Sequence, residues 1–527
     1  MAEKFHRATF TRNFLKTITR IKNPDEMLAE ASSGGLEKTL GVWDLIILGV
    51  GAIIGSGIFA VVGIAAAGSA DGSSLGAGPA LIISMIVAAI ACVFSALCYS
   101  EFATMIPVAG GAYTYTFATL GEFAAWMVGW VLMLEYAIGF IAVACAWSNH
   151  FVQFLGGFDK VLPAWLAHPP IWLVSDPFSA AKLVDSASIP TLFGIPLCIN
   201  LPAIVIVLLM TIILVRGTKD SAKMAGIMVF IKLAVIALFV VAGAFFVRPE
   251  NWTPFAPNGV EGIFAGAFLI FFAYIGFDAL ATAAEECKNP QKDLPIGIIG
   301  SLLVTTIVYV LVALILTGLQ DTSSAVPLDF LKAPMAYCMS LHKMNWAAGL
   351  ISVGSLAGLT SVLLVLEMAA TRILYAMSRD HFISQRFLKL DKKYKTPALL
   401  TWTVGLLAIV GIMTLNLDVA AELCNYGTFT SFIIVCVAIL ILRKTDPDRP
   451  RPFKVPFAPL TPMLGILACG GLMVYKSMQQ SSSALLFPVW LGVGAIFYLL
   501  YGFVKNRINE NKLHKEAVAL KKQEKIK

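Results

Sequence analysis

Apolar residues in this chain come in twelve blocks, each about as long as a bilayer is thick. That spacing leaves the chain few ways to fold. The blocks fall at about 42–67, 79–107, 122–155, 195–215, 222–247, 260–284, 294–318, 347–377, 397–415, 419–442, 459–478 and 484–504, and a helical span needs roughly 20 mostly apolar residues. In hydrocarbon every unpaired N–H or C=O costs several kcal/mol, so a spanning segment must satisfy its own backbone, which a helix does. Charged residues make up 13% of the chain and hydrophobic ones 58%, where a soluble domain carries about 25% charged residues. The expected fold class is an all-α polytopic membrane protein with 12 transmembrane helices.

The basic residues orient those helices. Two of the 39 Lys and Arg, Lys232 and Arg372, fall well inside blocks, away from their ends. Six (Lys160, Lys182, Arg248, Lys332, Lys343, Lys476) fall on the side opposite the N-terminus, which leaves 31 on the N-terminal side. Cytoplasmic loops carry the excess of Lys and Arg, so both termini are expected in the cytoplasm of a plasma (inner) membrane. The net charge of +7 then reflects topology and anionic headgroups, and no nucleic acid partner is implied.

Residues 1–41 are polar and basic and lack the apolar core of a cleavable signal peptide. Phe10, Phe14, Ile18 and Ile21 share one helical face there, suited to lying on the inner membrane surface. Residues 506–527 form a second basic segment. The nine cysteines are scattered without a C-x-x-C pair and read as packing residues, with a Cys198–Cys338 disulfide left open. The six histidines show no metal-ligand spacing, and no G-x-x-x-x-G-K-[ST] phosphate loop is present, so ATP is not the expected driving force. No cofactor, metal or enzyme constellation is expected.

Two blocks are broken by glycine. Gly51, Gly55 and Gly57 fall within seven residues of the first block, each costing a helix about 1 kcal/mol relative to alanine. The sixth block holds Phe271-Phe272-Ala273-Tyr274-Ile275-Gly276-Phe277-Asp278. Freed N–H groups around Ser56 and Gly57 would suit a carboxylate. Freed carbonyls around Ala52 and Ile53, with those of Phe272, Ala273 and Ile275, would suit an ammonium group. Phe272, Tyr274 and Phe277 would wall the pocket. Such a receptor fits a zwitterion, an α-amino acid. The plainer reading of Gly51 and Gly55 is close helix packing at G-x-x-x-G spacing.

Blocks one to five (42–247) and six to ten (259–443) overlay as two five-helix units, each opening on a broken helix, with 457–505 outside the repeat. Five crossings place the second unit upside down relative to the first, and interrupted helices at matching places mark the substrate site of a secondary transporter.

The stretches GVGAIIGSGIF (49–59), SALCYSEFATMIPVAGGAYTYTFATLGEFAAWMVGW (95–130), FFAYIGFDALATAAEECKNPQKDLPIGI (271–298) and TRILYAMSRD (371–380) resemble the amino acid–polyamine–organocation superfamily. The resemblance is to its cationic amino acid transporter family, bacterial members included, and runs from about residue 36 to 505. It implies a LeuT-type 5+5 inverted repeat plus two helices, with amino-acid uptake by alternating access. It also implies that Ala52, Ile53, Gly55, Ser56, Gly57, Phe272, Ala273, Ile275 and Phe277 hold the substrate.

Lys232 lies about eleven residues from either end of the fifth block. A lysine at the bilayer centre must pair, snorkel or lose its proton, and one that loses it can carry protons. The resemblance agrees, since related proton-coupled members carry a lysine where sodium-coupled relatives bind sodium. It implies contact with carbonyls near Gly49–Ala52, Gly51 among them, and with hydroxyls of the eighth block, Thr360 and Ser361. The coupling ion would be H+.

Among the acids, Glu122 starts the third block and matches a glutamate important in the cationic family. Glu135 lies deeper in that block and lines the pathway or pairs internally. Glu101 and Asp278 suit gates or loop anchors. Glu367 departs from the apolar pattern expected there and could pair with Arg372.

The reading is a proton-coupled amino-acid transporter, whose side-chain preference, neutral or cationic, stays open. An amino acid/amine antiporter and a transporter-like amino-acid sensor are the rivals. A small single-span membrane protein is compatible as a partner beside substrate and bilayer.

Overall fold

The computed structural model describes residues 18–32, 40–69, 72, 74–108, 110–158, 162–177, 180, 190–192, 195–196, 198–282, 284, 287–394, 396–479 and 482–502. Among these, nine helices are long and apolar enough to cross a membrane: Gly78–Met105, Glu122–Gly156, Gly226–Ala244, Gly259–Ala281, Pro290–Leu319, Asn345–Arg379, Leu417–Thr445, Leu460–Met478 and Ser482–Tyr501. The pair Val42–Ile53 and Gly57–Ala67, bent by 44°, makes a tenth crossing, and Leu201–Arg216 and Ala398–Ile412 are shorter apolar helices. The chain is a polytopic, nearly all-helical membrane protein. Among the described residues its paired strands form a hairpin in the loop after Gly156, Thr191–Leu192 against Ile195–Pro196, the same loop carrying two short helices, Ala164–Ala167 and Ile171–Val174; single β-bridges join Leu40 to Cys287 and Gly68 to Leu75.

Many hydroxyls within the helices are satisfied by their own helix. Ser100 donates to Ala96 O (2.8 Å), Thr116 to Ala112 O (2.7 Å) and Thr317 to Ala313 O (2.8 Å), back-bonds that remove hydroxyls from hydrocarbon. Large apolar side chains such as Leu303, Leu407, Leu485 and Leu500 are exposed, as lipid-facing residues are in a protein whose solvent there is itself apolar.

The helices pair in a regular pattern. Pro290–Leu319 packs on Leu81–Met105 and on Val42–Ile53, and Gly259–Ile270 packs on Leu81–Met105. Thr218–Ala244 packs on Asn345–Arg379, and Leu417–Thr445 on Gly139–Gly156. Leu201–Arg216 meets both Ala398–Ile412 and Asn345–Arg379, while Ala398–Ile412 also meets Gly139–Gly156.

All nine cysteines are buried and free, so Cys198 and Cys338 are not bridged. Of the N-terminal apolar residues, Ile18 packs against the core and Ile21 is exposed. Phe10, Phe14 and 506–527 lie outside the described residues.

Candidate functional site at the two helix breaks

The helix Val42–Ile53 stops at Ile54, whose backbone is extended (φ −71°, ψ 104°), and the chain resumes as a π-helical turn, Gly57–Val61. In the other half, Gly259–Ile270 tightens into a 3-10 turn, Phe271–Tyr274, and then opens at Ile275 (φ −63°, ψ 138°). Gly276 follows at φ 122°, a left-handed backbone that only glycine adopts without strain. A Cβ there would also sit 2.8 Å from Ala52 O. Gly57 lies so close to Ala273 that a Cβ would strike that residue's backbone. The two breaks are in direct contact. Gly51 and Gly55 do pack tightly as well, since added Cβ atoms would stand 2.6 Å from Val229 and 2.8 Å from Val362. These glycines therefore lie at a helix break and also pack closely against neighbouring helices.

The freed carbonyls are answered by side chains from two other helices, Thr218–Ala244 and Pro290–Leu319. Lys232, fully buried, donates to Gly51 O, to Ile54 O at 2.6 Å and to Ser361 Oγ at 3.3 Å. Thr360, predicted beside Ser361, is turned away: it donates to Leu356 O and accepts the Trp147 indole N–H at 3.0 Å. Adjacent helical residues point about 100° apart, so only one of the two faces the lysine. The Tyr309 hydroxyl reaches Ile53 O at 3.1 Å and Ala273 O at 2.7 Å, one group from each break.

Around the breaks Ala52, Ile53, Gly55, Ser56, Gly57, Phe272 and Ile275 line a small cavity of about 20 Å³ with Gly139, Val143, Val362, Leu366 and Cys424. That is room for one water molecule, so a larger solute enters only when the walls part. Ser56 and Gly57 bring to it the start of a helical segment, whose first N–H groups have no partner within the helix. Phe277 and Ala273, predicted to contact substrate, are outside the lining. Phe277 instead packs edge-on against Tyr99 at 5.9 Å and against Phe432 at 4.9 Å, because the turn at Gly276 swings it to the opposite side. Tyr274 stacks edge-on against Tyr309 at 5.2 Å and donates to Met85 O, so it supports the wall from behind.

The predicted acids scatter around this centre. Glu122 takes Arg20 at 3.0 Å and Tyr498 at 3.1 Å. Glu135, in the π-helical turn Leu134–Ile138, accepts Ser431 Oγ at 3.1 Å. Asp278 accepts the Tyr136 hydroxyl. Glu367 accepts Thr211 Oγ1 at 2.6 Å, whereas Arg372, five residues on, lies on an exposed face. Residues five apart on a helix diverge by about 140°, which is why Thr211 and not Arg372 answers this carboxyl. Glu101 is an anchor: Arg443 reaches it at 3.1 and 2.5 Å, Arg451 at 3.3 Å and the Val455 N–H at 2.6 Å.

Tyr309 was missed by the sequence reading. Its signal was present in TTIVYVLVAL (305–314), since a phenol in the middle of an apolar run must find a hydrogen-bond partner. Among the described residues, no group of three or more His, Cys, Asp or Glu could hold a metal ion.

Comparisons with known proteins bear on this geometry. The family described as amino acid permease matches residues 40–503. The chain is 42% identical over 496 residues to the branched-chain amino acid permease BcaP of Bacillus subtilis (strain 168), covering 94% of this chain and 99% of that one. It is 38% identical to the methylthioribose transporter of the same organism, covering 94% and 100%. It is 33% identical to the chloroplastic cationic amino acid transporter 9 of Arabidopsis thaliana, covering 94% and 83%.

Proposed function

This chain belongs to the amino acid permease family, and from that premise we propose that it takes up neutral aliphatic amino acids with protons by alternating access. The observation carrying the reading is the meeting of two interrupted helices at a cavity whose remaining walls are Gly139, Val143, Val362, Leu366 and Cys424. N–H groups at Ser56–Gly57 bind the α-carboxylate, and the peptide groups of the breaks bind the α-ammonium. Among the described residues no carboxylate lines the cavity, and Glu367 is bonded to Thr211 on another helix. A cationic side chain would find no counter-charge there, while a branched apolar one would be covered by Val143, Val362 and Leu366. The branched-chain permease relative agrees with this choice.

The twelve-helix inverted repeat is supported by the packing. Numbered by block, contacts 1·7 and 6·2, 5·8 and 10·3, and 4·8 and 9·3 each exchange when five is added to or subtracted from every number. Contacts 2·7, 3·8 and 4·9 map onto themselves. Two five-helix units related by a two-fold produce that pattern. Lys232 is the proposed proton carrier: protonated, it holds Gly51 O and Ile54 O, and on deprotonation it loses the charge that strengthens those bonds. By the loop charges, both termini are cytoplasmic.

The test is leucine uptake into proteoliposomes under an inward proton gradient. The expected result is gradient-driven accumulation that Lys232→Ala uncouples. Accumulation in Lys232→Ala equal to wild type would refute the coupling role. Uptake requiring amine inside and ignoring the gradient would favour exchange. Displacement of labelled leucine by methylthioribose alone, with no response to other amino acids, would reassign the substrate to the class carried by the second relative.

A further inference from the structure

Away from the breaks, the side of the molecule opposite the N-terminus holds a cavity of about 410 Å³, within the range of about 300–1,000 Å³ that small-molecule sites occupy. Its walls come from the last turns of Gly139–Gly156, from the loop helices Ala164–Ala167 and Ile171–Val174, and from the short helix Leu328–Lys332. Asn149, Gln153, His168, Asp329 and Lys332 bring polar side chains to it. Among the described residues none of these side chains makes a hydrogen bond or an ion pair. Gln153 Oε1 is buried and has no partner among the described residues, although a buried acceptor ordinarily has one. Val152, Ile171 and Val174 add an apolar wall.

The charges in this cavity select a class of solute. Asp329 and Lys332 are three apart on one helix and share a face, so a carboxylate and an ammonium stand side by side without closing on each other. Burial holds the Lys332 ammonium below the ordinary lysine range, and Asp329 offsets part of that. The formal charges of the two cancel, so a simple anion or cation gains little net attraction. A zwitterion engages both groups: its carboxylate accepts from the ammonium and its own ammonium donates to the carboxylate, in charge-assisted bonds. The orphaned Gln153 oxygen can accept a further N–H of the solute, and the apolar wall covers an aliphatic side chain.

We propose that this cavity is a second amino-acid site, separate from the one at the breaks, taking an aliphatic α-amino acid on the face opposite the N-terminus. It holds the solute more weakly than the breaks do, because Asp329 is exposed and water screens its charge. Leucine concentrations that fill the breaks therefore leave it largely empty. Its place suits a waiting position. Gly139–Gly156 carries Val143 of the inner cavity and Gln153 of this one, ten residues or about 15 Å apart along the helix. Leu328–Lys332 also packs on Gly57–Val61 and Val62–Ala67, the outer half of the first broken span, where a Cβ on Gly63 would stand 2.7 Å from Phe330 O. A solute that ties Lys332 to the third span thus bears on a half-helix that lines the inner cavity. The waiting role rests on the proposed uptake. The binding of an amino acid here does not.

The experiment is titration calorimetry of leucine, carried into the millimolar range, on the full-length protein in nanodiscs. Two phases are expected, a tight one for the breaks and a weak one for this cavity. Lys332→Met and Asp329→Asn should each weaken the second phase about tenfold or more, as loss of a charge-assisted contact does, and leave the first in place. Leucinol, which lacks the carboxylate, and isocaproate, which lacks the ammonium, should not displace leucine from the weak phase. A single phase of one leucine per protein overturns the proposal. So does a weak phase that is unchanged in both variants, or that methylthioribose or inorganic phosphate displaces. Should the variants fail to fold, the number of phases in the wild type and its response to the two analogues decide. A weak phase without a tight one would refute the site at the breaks and leave this one standing. The role is read separately: initial uptake at low external leucine should fall severalfold in Lys332→Met, and an unchanged rate beside a lost weak phase overturns the waiting role while the site stands.

Discussion

Replacing Tyr309 by phenylalanine tests whether the two breaks act as one site. The phenol lies 2.7 Å from Ala273 O and 3.1 Å from Ile53 O, so its single proton is shared between the two interrupted helices. Phenylalanine keeps the ring that packs against Tyr274 and opens no cavity, which confines the change to the hydroxyl. A typical hydrogen bond contributes about 0.5–1.5 kcal/mol net, and a buried carbonyl left without a partner costs about 1–3 kcal/mol. With one proton to lose, a total of about 1–3 kcal/mol follows. If the phenol clasps the breaks only when they have closed around the substrate, that cost falls on closure. Apparent leucine affinity should then drop by roughly 5- to 150-fold, at about 1.4 kcal/mol per tenfold. Titration calorimetry on purified protein and initial uptake rates in proteoliposomes read the change, with thermal unfolding measured alongside. Affinity within twofold of wild type at an unchanged melting temperature would refute the reasoning, because the two carbonyls would then have to be satisfied elsewhere.

Gly276→Ala places a side chain at φ 122° and 2.8 Å from Ala52 O; strain of order 1–3 kcal/mol should lower the melting temperature and abolish leucine binding, both read by thermal shift with and without ligand. Leu366→Ala enlarges the apolar wall, and since one methylene is worth about 10–200-fold in such a pocket, competition assays should show preference moving from leucine toward phenylalanine. Glu101→Gln leaves Arg443 and Arg451 without their carboxylate, and losing one partner of a buried ion pair costs about 3–5 kcal/mol, so detergent-solubilised protein should unfold at markedly lower temperature. Arg20→Ala removes a guanidinium that is 41% exposed but leaves Glu122, 0% exposed, without it, so a fall in melting temperature is expected that is measurable yet smaller than that of Glu101→Gln, one partner here being screened by solvent.

The parts of this molecule that answer to the bilayer were readable in advance. Block length anticipated the nine long apolar helices among the described residues, because hydrocarbon permits a spanning backbone little besides a helix, and glycine spacing marked both breaks. Lys232 was readable for the same reason: an ammonium eleven residues from either end has to find carbonyls. Direction within a helix was less accessible. Thr360 and Ser361 are neighbours in sequence, yet only Ser361 faces Lys232, and the choice depends on how Asn345–Arg379 is rotated against Thr218–Ala244. Phe277 failed similarly, since the sense of the turn at Gly276 decides which side of the chain it falls on. Tyr309 sits 33 residues beyond Gly276 in sequence, so its role arises only from the packing of Pro290–Leu319 against Val42–Ile53.

On the proposal that Lys232 carries the proton, these contacts would couple it to the solute. Three carbonyls of one short segment are held from two directions: Gly51 and Ile54 by Lys232, Ile53 by Tyr309. Tyr309 also holds Ala273 of the second break, so tightening the first break through the lysine brings the second into register. A neutral amine has two donors and no charge where the ammonium has three donors and a full one. Deprotonation therefore weakens the hold on the first break while the phenol still ties that break to its partner. Both breaks loosen together, and the peptide groups proposed to bind the substrate lose their alignment at the same step. A substrate that aligns those groups restores the arrangement in which Lys232 is best satisfied as an ammonium, so each ligand favours the other's binding by the same factor. Measured coupling between proton and leucine binding should accordingly be reciprocal in wild type and shrink in Tyr309→Phe, even though that residue carries no titrating charge near neutral pH.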